Sequence, residues 1–174
     1  MTVVCERHEL RITALAPADD EKALGPESKG SHPASQELTI ATLPSMVSWA
    51  PTGESLDFRA VTSKRGHSLM REQSADVALF DAERLLLPLR IRTWRAGDWF
   101  CPTGMSGRRK KLQDYFTDAK LVRPMRKQMP LLLARNGIAW IVGLRVDARV
   151  AATTSTTRFI VGRVRRPART EGVL

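Results

Sequence analysis

Apolar and polar positions alternate along much of this chain, and one stretch switches to a helical period. Val3–Leu15 alternates loosely, with Leu10, Ile12 and Ala14 on one parity, which predicts a strand. Glu37–Leu43 predicts a second strand, stopped by Pro44, and Leu56–Val61 alternates cleanly as a third. Val77–Phe80 and Leu85–Trp94 predict two more, with Pro88 pointing to an edge or a bulge in the latter. Leu112, Tyr115, Phe116 and Ala119 fall at i, i+3, i+4 and i+7, one apolar face of a helix. Arg123–Gln128 predicts a second short helix ended by Pro130. Leu131–Ala134 and Ile138–Val142 flank Asn136-Gly137, which predicts a hairpin with a type I′ turn. Thr157–Val164 reads as a last strand. No internal repeat is visible. The pattern predicts an α+β fold: a β-rich, sandwich-like body with one or two short helices.

The 174 residues are enough to bury a core without help from metals or disulfides. Hydrophobic residues at 43% and charged residues at 26% place the chain among globular proteins. The longest apolar runs are far shorter than the ~20 residues a membrane helix needs, so no membrane partner is expected. The N-terminus lacks the basic-then-apolar order of a signal peptide, and a cytoplasmic setting is expected. Cys5 and Cys101 form no CxxC pair, and His8, His32 and His67 are scattered, so neither a disulfide framework nor a metal site is predicted.

The net charge is +10, which points to a polyanionic partner, and it is unevenly spread. Residues 1–89 carry 9 Lys and Arg against 13 Asp and Glu; residues 90–174 carry 19 against 5. This shift sets the expected organisation. A β-rich segment, 1–89, contains a flexible Pro-, Gly- and Ser-rich loop at 17–36. A basic domain follows at 90–164, and then a frayed tail at 165–174. Met1 opening straight into a strand-like segment suggests a trimmed boundary.

The chemistry concentrates after Arg90. Gly97, Pro102, Gly104 and Gly107 demand a loop with unusual backbone angles. Arg108, Arg109, Lys110 and Lys111 follow at the expected start of a helix, where cations are unfavourable by a few tenths to ~1 kcal/mol each. A bound phosphate would reverse that sign; a solvated basic turn is the competing reading. Arg90 and Arg92 share one strand face, and with Arg95 they surround Trp94. Trp94 and Trp99 suit either core packing or stacking on a base. Asp98 has no paired carboxylate near it, so it caps the loop or orients an arginine rather than serving as a base. Asp118 and Asp147 have no obvious catalytic partner. No GxxxxGK[ST], GxGxxG or GxSxG motif occurs.

The segment Arg92-Thr93-Trp94-Arg95-Ala96-Gly97-Asp98-Trp99-Phe100-Cys101-Pro102-Thr103-Gly104-Met105 resembles an R-x-R-x-G-D-x-F-x-P-x-G-M pattern, its first arginine offset. Arg109-Lys110-Lys111-Leu112-Gln113-Asp114-Tyr115-Phe116-Thr117-Asp118-Ala119-Lys120 is similar to the K-K-L-x-D-F-F-x-D-x-K that follows it. Pro130-Leu131-Leu132 and Trp140–Asp147 resemble later PLL and WVxGxRID elements. Together they resemble the C-terminal domain of bacterial tRNA(Ile)-lysidine synthetase. Ala96 stands where that family usually has proline, and Trp99 where it usually has arginine.

The resemblance implies a β-rich fold related to a domain of phenylalanyl-tRNA synthetase, and a partner, tRNA, held at its acceptor stem. It implies an ATP-dependent ligation of lysine to the wobble cytidine, through an adenylated intermediate, in an N-terminal catalytic domain bearing an SGGxDS loop. That motif is absent from these 174 residues. ATP and magnesium are therefore expected only on a catalytic domain supplied in cis or in trans, and no cofactor or catalytic residue is expected here. The expected phosphate contacts are Arg92, Arg95, Arg108, Arg109, Lys110, Lys111 and Lys120, with Arg123, Arg126 and Lys127 as a second cluster. Gly97, Asp98, Gly104 and Gly107 would shape the loop. Two other readings compete: a ligase in its own right, which would release pyrophosphate from ATP, and a protein-interaction module that no longer binds RNA.

Overall fold

The computed structural model describes residues 37–72 and 74–166. The predicted strand at 3–15, the loop at 17–36 and the tail beyond 166 lie outside the described residues.

Two antiparallel sheets and a small ribbon form the body. The first sheet has the order β1-β5-β8-β9-β10, from Leu38–Ile40, Leu89–Arg92, Leu131–Ala134, Gly137–Ile141 and Arg145–Val146. The second has the order β2-β3-β11-β4, from Ser45–Trp49, Glu54–Val61, Phe159–Arg165 and Val77–Asp81. Trp99–Phe100 (β6) pairs with Lys110–Lys111 (β7) in the ribbon. Three short helices complete it: α1 (Ser63–Glu72), α2 (Leu112–Asp118) and α3 (Arg123–Gln128). The α+β class follows directly.

The main core lies between the two sheets. Ile40, Leu89, Ile91, Leu132 and Trp140 face Trp49, Leu56, Phe58, Phe80 and Ile160 across it. Gly162 in β11 lets the sheets close. A Cβ there would stand 3.0–3.2 Å from the rings of Phe58, Trp140 and Phe80.

A second core covers the opposite face of the first sheet. Phe100, Leu112 and Phe116 pack on Leu131, Leu133, Ile138 and Ile141. This makes three layers, and it explains why β8 is apolar at every position: Leu131 and Leu133 face one core, Leu132 and Ala134 the other. A bulge helps β9 do the same. The register steps from Leu132↔Trp140 to Leu133↔Ile138, leaving Ala139 as the extra residue. Ile138 and Ile141, of opposite parity, can then share one core while Trp140 enters the other.

Strand pairing crosses residue 89/90 in both sheets: β1 pairs with β5, and β11 sits between β3 and β4. The change in charge along the chain is a surface property; register follows the apolar positions. Leu85–Trp94 is a strand only over Leu89–Arg92, and β5 is interior rather than an edge, with Pro88 outside it. A missing N–H is harmless just before a strand.

Candidate nucleic-acid interface

The second core carries the basic layer. Phe100, Leu112 and Phe116 are fully buried, and each contributes about 1.5–3 kcal/mol by leaving water. They fasten the ribbon and α2 to the sheet. Gly97, just before β6, takes φ of 89°, and the reversal from β6 to β7 turns at Gly104 and Gly107 with φ of 86° and 74°. Such values are open to glycine at little cost. The following loop is zipped to the β10 side: Thr103 N–H donates to the Val146 carbonyl at 3.3 Å, and Ala148 N–H to the Cys101 carbonyl at 2.7 Å.

The four consecutive cations are not in a helical first turn. Lys110 and Lys111 form β7, opposite Phe100 and Trp99, and α2 begins at Leu112. The glycine-bent loop brings them back as a strand that runs into the helix just behind it, with Lys111 as the N-cap of α2, so the unfavourable contact with the helix dipole falls mainly on Lys111. Lys110 is tied to Asp118, which fastens the ribbon to α2.

The structure divides the ten expected phosphate contacts in two. Arg92 is buried, and its guanidinium donates to Asp98 Oδ2 and Oδ1 at 2.8 and 2.9 Å and to the Thr93 carbonyl at 2.8 Å. Asp98 also accepts from the Arg95 backbone N–H at 2.7 Å. Arg92 is thus a strut within the loop, not an outward cation. Arg95 pairs with Glu37 at 3.0 Å. Arg126 donates to the carbonyls of Leu121 at 2.7 Å and Phe116 at 3.4 Å, joining α3 to the end of α2. Arg108, Arg109, Lys111, Lys120, Arg123 and Lys127 are exposed and have no carboxylate partner among the described residues.

Lys120 stands in a special place. Its φ is +52°, and it follows α2 in a Schellman turn: Leu121 N–H donates to the Phe116 carbonyl at 2.9 Å, and Lys120 N–H to the Thr117 carbonyl at 3.0 Å. Glycine is the usual residue at that position. Leu121 and Phe116 meet in the second core, the contact that accompanies such a turn.

Sequence reasoning missed Arg149. Asp147 is fully buried and accepts from Cys101 N–H at 2.8 Å and from Arg149 Nε at 2.9 Å. A second bond from the guanidinium reaches the other carboxylate oxygen at 2.8 Å. These bonds raise the Arg149 pKa above its ordinary value, against the opposing effect of burial. The guanidinium carbon lies 4.8 Å from the centre of the Trp99 ring, and that of Arg109 lies 4.0 Å from it. Trp94, in contrast, packs edge-on against Phe116 in the second core. The Asp-x-Arg spacing was the available signal, but nothing in the sequence placed it beside Trp99.

Residues 89–161 match the family described as TilS substrate C-terminal domain. The tRNA(Ile)-lysidine synthase of Parabacteroides distasonis is 43% identical over 90 residues, covering 52% of this chain and 20% of that protein. That of Geobacillus kaustophilus is 35% identical over 104 residues, covering 59% and 22%. A solved structure described as the crystal structure of TILS C-terminal domain superposes with a TM-score of 0.62 at 25% identity, covering 75% of this chain and 98% of that one. Residues 89–161 are a lysidine synthase C-terminal domain. The chain spans about a fifth of the length of the curated relatives it matches. The lysidine synthase match begins at β5 and ends inside β11, so it takes in the whole second core and every unpaired cation named above.

Proposed function

We propose that this chain is the tRNA-binding portion of a tRNA(Ile)-lysidine synthase, and that the layer formed by β6, β7, α2 and α3 holds the acceptor stem through its phosphates. Ligation of lysine to the wobble cytidine, with its ATP and magnesium, falls to a catalytic domain acting in cis or in trans. The observation that carries this reading is the set of six exposed cations on one short stretch, 108–127, without carboxylate partners among the described residues. Their neighbours Arg92, Lys110 and Arg126 are spent on holding the layer together. A-form RNA is recognised through backbone and shape, which suits cations projecting from a rigid platform. Lys120 supports the same reading, since a lysine occupies a backbone position that favours glycine.

The test is filter binding of tRNA by the full chain and by a variant with Lys111, Lys120, Arg123 and Lys127 all changed to Ala. The reading expects affinity to fall roughly tenfold or more with the melting temperature unchanged. Equal affinity would remove it. Incubation with ATP, lysine and tRNA is expected to release no pyrophosphate; release would favour the ligase reading instead.

A further inference from the structure

A recess of about 140 Å³ opens beside the basic layer, lined by Arg92, Gly97, Asp98, Trp99, Leu133 and Ile138, with Gly137 at its rim. Leu133 and Ile138 give it an apolar floor, and Trp99 an aromatic side. The paired Arg92 and Asp98 supply polar atoms at fixed positions, because each holds the other through two hydrogen bonds. Gly97 adds no bulk to the lining, and an added Cβ there would meet nothing within 4 Å. Two guanidiniums lie against the same indole. Arg149 is anchored by fully buried Asp147, whereas exposed Arg109 has no carboxylate partner among the described residues.

We propose that this recess takes one unstacked nucleotide of the bound RNA, with its base against Trp99 and its phosphate on Arg109. The inference rests on the RNA-binding reading above and adds a site for a single-stranded element next to a backbone-reading surface. Size argues for a single ring: an apolar cavity of about 150 Å³ holds one benzene. A pyrimidine is nearer that size than a purine. Aromatic side chains and Arg planes are the usual partners of splayed-out bases. Arg109 can turn from the indole to a phosphate at the cost of one cation–π contact, while Arg149 stays fixed as a second positive edge.

The test uses the full chain and three probes: uridine 5′-monophosphate, adenosine 5′-monophosphate, and a blunt RNA duplex with and without a 3′ uridine overhang. NMR of the four indole N–H signals reports the mononucleotides. The proposal expects uridine monophosphate to shift the Trp99 signal saturably, adenosine monophosphate to shift it more weakly, and the overhang to tighten duplex binding about fivefold or more. Trp99→Ala should abolish the overhang's advantage, and Trp99→Phe should keep most of it. If the duplex binds but neither uridine monophosphate nor the overhang has any effect on wild type, the recess proposal is overturned and the backbone reading stands. If no RNA binds at all, both fall.

Discussion

Arg92 and Asp98 lie side by side, joined by parallel hydrogen bonds of 2.8 and 2.9 Å, with both side chains largely removed from water. An arginine that sequence pattern offers as a phosphate contact is therefore the beam of its own loop. Breaking a buried pair by removing one partner strands the other. Asp98→Ala is expected to lower unfolding free energy by about 3 kcal/mol or more in urea titration, and Arg92→Met with Asp98→Leu by less than Asp98→Ala alone.

Asp147 plays the same part for Arg149, with Cys101 N–H as a third member. Asp147→Ala should cost about 3 kcal/mol. Because Arg149 has a folded-state pKa above its unfolded value, its stabilising effect is complete below the unfolded pKa and fades only as pH climbs through the folded one. Arginine keeps its proton far above neutral pH even when unfolded, so the difference between wild type and Asp147→Ala should stay constant from about pH 7 to 10. A difference that shrinks over that window would contradict the assignment.

Lys120→Gly separates stability from binding. The αL backbone costs a non-glycine residue about 1 kcal/mol. The variant should gain roughly 0.5–1 kcal/mol in unfolding free energy. It should also bind tRNA more weakly, because a cation is gone. A variant that is both more stable and an equal binder would show that Lys120 touches no phosphate.

Gly66 in α1 is fixed by contact. A Cβ would stand 2.3–2.6 Å from ring carbons of Phe159, which His67 also meets edge-on. Gly66→Ala should destabilise by about 2 kcal/mol or more despite alanine's better helix propensity, measured by thermal unfolding.

What the sequence disclosed follows how each element is buried. The hairpin near Asn136-Gly137 and the helices at 112–118 and 123–128 were legible because their spacing is local, but the turn is not type I′: Ala134 pairs with Gly137, and of Arg135, Asn136 and Gly137 only Gly137 has a positive φ, 108°. The helix α1 was not: only Gly66 and Leu69 are buried in it, too few for an apolar stripe. Strand β2 has the alternation, with Val47 and Trp49 inward, but it is only five residues long and follows directly on Pro44, which reads as a stop. β6, β7 and β10 are two residues each, shorter than any period can show. For the interface, charge located the layer, but which cations are spent on Asp98, Glu37, Asp118 and carbonyl oxygens depends on long-range packing. So does the meeting of Arg149 with Trp99.

The central claim is that six cations between 108 and 127 grip phosphates, and the salt dependence of tRNA binding tests it most directly. With about six phosphates neutralised, log affinity should fall against log salt concentration with a slope near −5, and each of Lys111→Ala, Arg123→Ala and Lys127→Ala should flatten it by about one. A slope near zero in the wild-type chain, or single variants that leave the slope untouched, would contradict it.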